Sequence, residues 1–342
     1  MGQDARVKVL VTGATGYAAG FCIRELLEHG YDVRGSVRNL KTSNVDHLRP
    51  LGEVEFVQAI LDDDAGWAEA VEGCDYVLHV ASPIPFKAPK HEDEIIRPAV
   101  DGTKRVLRAA AKAGVKRVVY TSSLDTVTQN SATHDRVRTD DDWSDLAQSS
   151  AYGKSKILAE KAAWELSAEL GLEVSAILPG AIIGPQLQVH VNKDSTSDLV
   201  RRILAGGMPA IPPISLGFTD VRDLATAHRL AMEVPAAAGN RYIVADGPLW
   251  LSDVAQILKD EYGPKGYHIS TRSVPGWVIR AMALVNDEAK LAASQFDANY
   301  HVTTEKARRE LGWVHRPVRQ TIIETAQLLI EKGIIQPPKT RR

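Results

Sequence analysis

The sequence has little of several features that mark particular classes of protein. Its formal net charge is only −2 at pH 7, so its charge does not favour nucleic acid as a partner. Its 10 histidines are scattered, and no pair has the close spacing of a zinc site, so we expect no bound metal. No apolar run approaches the length needed to span a membrane, and residues 1–6 contain no apolar segment of a signal peptide. We therefore expect a cytoplasmic protein that does not bind membranes.

Cysteine is also scarce. The chain has only 2 cysteines, and both lie in apolar surroundings: Cys22 in a predicted helix over 18–29, and Cys74 just before a predicted strand. Two buried thiols in a reducing compartment are therefore expected, rather than a disulfide. The 342 residues, 44% hydrophobic and 25% charged, are enough for a large α/β domain with a smaller lobe.

Apolar, β-branched runs alternate with helical patterns through the first half of the chain. The predicted strands cover residues 7–12, 32–37, 54–58, 76–80, 115–121 and 174–178. The predicted helices cover residues 18–29, 67–71, 100–113 and 151–170. Strict alternation of this kind predicts a parallel sheet with right-handed crossovers, that is, a doubly wound Rossmann fold of the α/β class.

The alternation breaks near Gly180, where the chain becomes rich in glycine and proline. We expect a Rossmann domain over residues 1–180, to which residues 219–247 return. A smaller, mostly helical C-terminal lobe is expected over 181–218 and 248–338. Such a lobe would cover the carboxyl end of the sheet, where doubly wound folds bind their ligands.

A glycine-rich turn follows the first predicted strand and opens the first predicted helix. Gly13 and Gly16 permit a tight turn, and the third position of the fingerprint is the small residue Ala19. Backbone N–H groups around Thr15 and Tyr17 can then reach a pyrophosphate at the helix N-terminus. The position of this turn in the chain, more than its letters, predicts a dinucleotide site rather than a merely structural turn.

The end of the second predicted strand indicates which dinucleotide is bound. NAD sites usually place an acidic residue here to bind the ribose 2′-hydroxyl, but this strand ends in Val37, Arg38 and Asn39. An arginine pairs well with a 2′-phosphate, in a contact worth about 1.5–3 kcal/mol. The alternative is a solvated surface arginine. The sequence therefore predicts NADP(H).

Tyr152 and Lys156 open the predicted helix over 151–170 and share one of its faces. Hydride addition to a carbonyl leaves an alkoxide that needs an acid, and a tyrosine beside an ammonium can supply the proton. We expect the ammonium and an oxidised nicotinamide to lower the pKa of Tyr152. The Ser123 hydroxyl, at the end of the fifth predicted strand, would bind the carbonyl oxygen as charge develops; its alternative role is bonding to local backbone.

With these residues the chain resembles the extended short-chain dehydrogenase/reductase family, and most closely its dihydroflavonol-reductase-like branch of aldehyde and ketone reductases. The resemblance covers nearly the whole chain. The segments that carry it are 11–17, 37–39, 79–83, 100–103, 121–123, 152–156, 178–185, 220–223 and 306–313.

The resemblance implies a catalytic trio of Ser123, Tyr152 and Lys156, with Lys156 also bonding the nicotinamide ribose. Together with the glycine-rich turn, it implies a set of cofactor-binding residues. That set is Gly13, Thr15, Gly16, Tyr17, Arg38, Ile60, Leu61, Val80, Ala81, Ser82, Thr121, Tyr152, Lys156, Pro179 and Ile182.

The sequence departs from the family pattern at three positions. Ile60 stands where the family often has an aspartate for the adenine amino group, so backbone at Ile60 and Leu61 is expected to serve instead. Asn44 replaces a frequent lysine, which leaves Arg38, with Lys41, for the phosphate. Thr128 replaces the polar residue that plant flavonoid reductases use for a hydroxylated ring, which argues against a flavonoid-specific enzyme.

The expected substrate is a small, fairly hydrophobic aldehyde or ketone. The side chains expected to line its pocket are all apolar, although each is equally compatible with core packing: Ile84, Phe86, Leu124, Ile211 and Ile214. The protein is expected to be a monomer or a homodimer.

Three other functions remain open. A sugar-nucleotide epimerase or dehydratase would usually retain NAD, and a dehydratase would need an Asp-Glu pair where this chain has Leu124 and Asp125. A non-catalytic NADP(H) sensor would typically lack the Tyr152 and Lys156 pair. A hydroxysteroid dehydrogenase is weakly disfavoured because no membrane-associating segment is found.

Overall fold

The computed structural model describes residues 6–83, 89, 91–129, 136–187, 196–275, 277–278, 281 and 300–336. Its strands are β1 Lys8–Val11, β2 Asp32–Val37, β3 Val54–Gln58, β4 Tyr76–His79, β5 Arg117–Thr121, β6 Val137–Arg138, β7 Glu173–Leu178, β8 Ala181–Ile183, β9 Ser215–Leu216, β10 Phe218–Asp220, β11 Arg241–Ile243, β12 Leu249–Trp250 and β13 His301–Val302. Its helices are α1 Tyr17–Glu28, α2 Trp67–Val71, α3 Asp93–Lys112, α4 Asp125–Thr128, α5 Ala151–Leu170, α6 Thr196–Leu204, α7 Val221–Glu233, α8 Leu251–Tyr262, α9 Glu305–Leu311 and α10 Val318–Glu331.

Seven strands form one sheet in the order β11-β7-β5-β4-β1-β2-β3. Every neighbouring pair in it is parallel. The strand order reverses between β1 and β4, so the carboxyl ends of these two strands flank the crevice where open α/β sheets bind ligands. The doubly wound Rossmann fold predicted from the sequence is confirmed.

The sheet separates two apolar cores because alternate residues of each strand point to opposite faces. Within β1, Val9 and Val11 lie in the core shared with α1 and α7. Leu10 lies in the opposite core, shared with α3 and α5. Cys22 and Cys74 are buried free thiols, one in each core, as the sequence predicted.

Helix α3 is longer than the helix expected over 100–113. It begins at Asp93 and contains Pro98, and a proline in a helical pattern usually indicates a helix boundary. Acidic residues in its first turn favour an early start, because they face the positive end of the helix dipole. Ile95 and Ala99 are also buried on the face that continues through Val106, so apolar packing supports the added turns.

A third apolar core lies among α6, α8 and α10. Two short strand pairs, β8 with β10 and β9 with β12, accompany it. Between these segments the chain returns to the main sheet, because β11 pairs with β7 at its edge. The division into a Rossmann domain and a separate substrate-binding lobe over 181–218 and 248–338 stays a prediction. In the described part of the chain, no helix has the length and apolar character needed to cross a bilayer.

Candidate active site

The loop after β1 passes very close to the chain after β4. Gly13 has a φ of +69°, and a Cβ atom at this position would lie 3.0 Å from the Ala81 Cβ. The Gly13 N–H donates to the Ser36 hydroxyl at 3.0 Å, and the Ala81 N–H donates to the Thr12 hydroxyl at 2.9 Å. A glycine is therefore required at 13, and the loop is fixed between β2 and β4.

Helix α1 begins without a side chain that caps its N-terminus. Its N-cap residue is Gly16, in extended backbone conformation. Thr15 is exposed, and Tyr17 is half-buried with its ring edge-to-face against Phe21 at 5.8 Å. Uncapped N–H groups at the start of a helix are an anion site, so this loop fits a pyrophosphate.

Arg38 is exposed immediately after the end of β2. Within the described ranges its guanidinium forms no ion pair or hydrogen bond with the protein. Arg34, on the same strand, is buried and donates to the backbone carbonyls of Glu69 and Glu72 at 2.9 and 2.7 Å. Of these two arginines, Arg38 is thus the one that fits a 2′-phosphate, with exposed Lys41 three residues on.

The backbone expected to recognise adenine is already partly engaged. The Ile60 carbonyl accepts a hydrogen bond from the Trp67 indole N–H at 3.0 Å. The Leu61 carbonyl accepts one from the Arg105 guanidinium at 2.7 Å. Each carbonyl oxygen retains a second lone pair, so the role of Ile60 and Leu61 stays a prediction.

The remaining residues expected to contact the cofactor lie at the carboxyl edge of the sheet. Val80, Ala81 and Ser82 continue from β4 and are half-buried. Pro179 follows β7, and its carbonyl accepts the Leu124 N–H at 2.8 Å, which brings the ends of β5 and β7 together. Ile182 in β8 is half-buried beside them.

The start of α5 is fixed by two polar side chains, those of Ser150 and Gln129. The Ser150 hydroxyl caps the helix by accepting the Gly153 N–H at 3.0 Å. The Ser150 N–H donates to the Gln129 Oε1 at 2.8 Å. Gly153 makes room for this amide, because a Cβ there would lie 2.4 Å from the Gln129 Oε1. The turn that carries Tyr152 is therefore held at both its cap and its flank.

Lys156 reaches from the second turn of α5 towards the sheet. Its Nζ lies 5.9 Å from the centre of the Tyr152 ring and donates to the Thr121 carbonyl at 3.3 Å. The Thr121 hydroxyl is bonded to the His228 Nε2 at 2.7 Å. Burial lowers the pKa of Lys156 to about 8, while the Glu160 and Asp125 carboxylates oppose that shift.

Ser123 follows β5 and is 7% exposed. Its hydroxyl accepts the Asp125 N–H at 3.2 Å, and it lies close enough to the Tyr152 phenol to lower the pKa of that phenol. The structure therefore brings Ser123, Tyr152 and Lys156 together at the crevice, although the first two are separated in the chain by α4 and β6.

The prediction that Lys156 lowers the pKa of Tyr152 differs from what the structure gives. Burial raises the pKa of Tyr152 above its usual value, the Asp125 carboxylate raises it further, and the nearby Ser123 hydroxyl only partly opposes them. The Lys156 ammonium bonds the strand backbone instead. Tyr152 is therefore held as the neutral phenol, which is the form that can donate a proton.

The residues expected to line a substrate pocket are mostly buried in cores. Leu124 lies in the α3/α5 core, while Ile211 and Ile214 lie in the core among α6, α8 and α10. Ile84 and Phe86 fall outside the described residues. A role for these side chains in substrate binding stays a prediction.

The structure adds three polar residues that the sequence analysis did not place in the site. Asp125 interacts electrostatically with both Tyr152 and Lys156. Glu160 lies one turn beyond Lys156 and is paired with Arg241. The spacing of four from Lys156 could have indicated Glu160, but no local pattern connects Arg241 to it.

A family profile described as the NAD dependent epimerase/dehydratase family matches residues 9–245. The chain belongs to this family. The match begins in β1 and ends after β11, so it covers all seven strands of the main sheet.

The relatives found within this family include several reductases. Cinnamoyl-CoA reductase 2 of Arabidopsis thaliana is 35% identical over 340 residues, which cover 97% of this chain and 95% of that protein. Anthocyanidin reductase of Arabidopsis thaliana is 31% identical over 306 residues, which cover 82% of this chain and 88% of that protein. The structure of yeast methylglyoxal/isovaleraldehyde reductase Gre2 complexed with NADPH matches with a TM-score of 0.78 at 25% identity. The match covers 96% of this chain and 99% of that chain. The resemblance to the extended short-chain dehydrogenases/reductases and their dihydroflavonol-reductase-like branch is confirmed.

Proposed function

We propose that this protein is an NADPH-dependent reductase that converts an aldehyde or ketone to an alcohol. The observation that carries the proposal is the convergence of Ser123, the neutral Tyr152 phenol and the buried Lys156 ammonium at the carboxyl edge of the sheet, the edge that also carries the loop of Gly13 and Gly16. The reductase relatives that span almost the whole chain support the same chemistry.

NADP(H) is the cofactor, and bound NADPH supplies the hydride. The uncapped start of α1 fits its pyrophosphate, and Arg38 fits its 2′-phosphate. The NADPH complex of the yeast reductase supports this choice. An NAD-dependent epimerase or dehydratase is less well supported, because no carboxylate ends β2 and no Asp-Glu pair follows Ser123.

Tyr152 donates the proton. As the carbonyl carbon gains a hydride, the carbonyl π electrons move to oxygen, and the Tyr152 O–H passes its proton to that oxygen to complete the alcohol. The phenolate that remains regains a proton from solvent. Ser123 donates a hydrogen bond to the carbonyl oxygen, which stabilises the charge that develops there.

A substrate screen tests the proposal. Purified protein is mixed with NADPH or NADH and with an aliphatic aldehyde, an aromatic aldehyde, a keto ester and cinnamoyl-CoA, and nucleotide oxidation is followed by absorbance. We expect oxidation with an aldehyde or ketone, and faster oxidation of NADPH than of NADH. Protein that binds no pyridine nucleotide, or that oxidises NADPH with none of these carbonyls, contradicts the proposal.

A further inference from the structure

Asp125 lies at the start of α4, two residues after Ser123, and its backbone is fully bonded. Its N–H donates to the Ser123 hydroxyl at 3.2 Å, and its carbonyl accepts the Ser144 hydroxyl at 2.7 Å. Its carboxyl group is different: across the described residues it has no hydrogen bond or ion pair. The backbone bonds fix where Asp125 sits and leave its carboxyl group without a hydrogen-bond partner among the described residues.

The neighbours of this carboxyl group come from two distant parts of the chain. Helix α5 supplies the Tyr152 phenol and the Lys156 ammonium, and both interact with it electrostatically. Tyr300 interacts with it from the C-terminal side, where the Tyr300 hydroxyl accepts the Gly217 N–H at 2.7 Å. Asp125 therefore belongs to the same cluster as the proposed catalytic residues.

The Asp125 carboxyl group is half-buried, and solvent still reaches its oxygen atoms and supplies their hydrogen bonds. Burial raises the pKa of Asp125 to about 6, and the nearby Lys156 ammonium opposes the shift. The group is thus mainly ionised at neutral pH. An ionised carboxylate only accepts hydrogen bonds, so a ligand group that displaces this solvent from Asp125 has to be a donor.

We propose that Asp125 selects the substrate by accepting a hydrogen bond from a hydroxyl group on the carbon next to the reacting carbonyl. The inference rests on the proposed reductase function. A carbonyl oxygen bound at Ser123 and Tyr152 brings the adjacent carbon of the substrate towards a residue two positions along the chain. A hydroxyl fits better than an ammonium, because the Lys156 cation already lies beside this carboxylate.

The expected substrate is therefore an α-hydroxy ketone or α-hydroxy aldehyde rather than a purely hydrophobic carbonyl. Asp125 takes no proton from the substrate in this role and acts through binding alone. A hydrogen bond to a charged group contributes about 1.5–3 kcal/mol, which corresponds to a preference of roughly 10-fold to 150-fold.

The test compares acetoin with butanone, which differ by one hydroxyl group on the carbon next to the carbonyl. The kcat/KM of each is measured with NADPH for the wild type, Asp125→Leu and Asp125→Asn. We expect the wild type to prefer acetoin by about 10-fold to 150-fold, and Asp125→Leu to lose that preference. Asp125→Asn, which supplies a neutral acceptor, is expected to retain a preference for acetoin of about 2-fold to 10-fold. Asp141→Asn, at an exposed carboxylate, is the matched control and keeps the wild-type ratio.

The pH dependence of the same ratio gives a second readout. Since the carboxylate is a stronger acceptor than the carboxylic acid, the wild-type preference for acetoin is expected to rise as the pH increases through about 6. Among the described residues, the titratable groups that interact with Asp125 are Tyr152, Lys156 and Tyr300, and the titration of any of these groups persists in Asp125→Leu. A rise that persists in that variant contradicts the inference.

Other outcomes separate this inference from the proposed function. Equal reduction of both ketones by the wild type overturns the selection role while leaving the reductase intact. An equal loss of kcat/KM on both ketones in Asp125→Leu identifies a positioning role through Ser123. A raised KM for NADPH with an unchanged acetoin-to-butanone ratio identifies a cofactor contact. Either result overturns the inference. If Asp125→Leu fails to fold, Asp125→Asn decides. Absence of NADPH oxidation with any carbonyl defeats the reductase function itself.

Discussion

Glu160 and Arg241 form a buried ion pair behind the proposed catalytic lysine, with 2.6 Å between the Glu160 Oε1 and the Arg241 Nε. Glu160 also accepts hydrogen bonds from the Ser122 hydroxyl and from the Trp164 indole N–H. The Arg241 guanidinium lies 3.8 Å from the centre of the Trp143 ring. The pair joins α5, which carries Tyr152 and Lys156, to the edge strand β11.

Glu160→Gln is expected to lower the free energy of unfolding by about 3–5 kcal/mol, because it leaves the buried Arg241 without its counter-charge. Urea unfolding followed by circular dichroism measures the change. Asp46→Asn is the matched control, because Asp46 is 77% exposed in its ion pair with Arg49. This substitution should change the free energy of unfolding by less than about 1 kcal/mol. Equal losses in the two variants contradict the stabilising role of the buried pair.

Tyr152→Phe removes the proposed proton donor and keeps the ring. We expect kcat to fall by about 10²-fold to 10⁴-fold while the Kd for NADPH stays nearly unchanged, because the phenol acts on the substrate oxygen. Steady-state kinetics and fluorescence titration measure the two quantities. Tyr267→Phe, which alters a half-buried tyrosine packed against Tyr262, is the control and should match the wild type. Near-wild-type turnover in Tyr152→Phe removes this residue from the mechanism.

Arg38→Asp replaces the exposed guanidinium at the end of β2 by a carboxylate. The carboxylate repels a 2′-phosphate and can bind a ribose 2′-hydroxyl, so the ratio of kcat/KM for NADPH to that for NADH is expected to fall by at least about 10-fold. Arg319→Asp makes the same charge change at an exposed site on α10 and should leave the ratio unaltered. Unchanged NADPH affinity in Arg38→Asp shows that the phosphate binds elsewhere.

Gly153→Ala tests how the start of α5 is held. The added Cβ displaces the Gln129 amide, whose Oε1 it would approach to 2.4 Å, and so releases the Ser150 N–H. A shift of about 1 Å in the turn carrying Tyr152 is expected to lower kcat by roughly 10-fold to 100-fold. Gly247→Ala is the control, since nothing lies within 4 Å of a Cβ there.

The double variant Gly153→Ala with Gln129→Ala shows whether the clash is the cause. Without the Gln129 amide there is no clash. Gln129→Ala should therefore lower kcat much less when it is added to Gly153→Ala than when it is made in the wild type. Strictly additive losses contradict a contact between the two positions.

Lys156→Met is expected to change stability in a pH-dependent way. The folded pKa of Lys156, about 8, is below its usual value, so between that pH and the usual value the unfolded chain binds more protons than the folded one. The stability that Lys156 contributes therefore rises with pH across this range. Lys156→Met should be more stable than the wild type at pH 7, and its advantage should shrink by pH 10, as measured by urea unfolding. An advantage that grows with pH contradicts the lowered pKa.

The fold and most of the site residues could be predicted because their signals are local. Periodic apolar runs specify the strands and helices, and the turn at Gly13 and Gly16 needs only its neighbours to be recognised. The spacing of Tyr152 and Lys156 places both on one face of a helix. Helix α3 was predicted too short because Pro98 reads as a helix boundary, whereas packing of Ile95 extends the helix past it.

The electrostatics of the site could not be predicted in the same way. The pKa of Tyr152 depends on its burial and on Asp125, and both follow from tertiary contacts that no spacing in the sequence reveals. Tyr300 reaches the cluster from a distant segment, and Arg241 reaches Glu160 from the last strand of the sheet. Spacing along a helix finds partners on that helix only.

The late position of β11 in the chain has a consequence for biosynthesis. A ribosome completes Glu173–Leu178 and then makes residues 179–240 before Arg241–Ile243 can cover the exposed side of β7. Throughout that interval the nascent sheet presents unpaired backbone groups, which are a template for pairing with other chains. Folding during translation therefore passes through an aggregation-prone intermediate, and slow translation of residues 179–240 prolongs the lifetime of that intermediate.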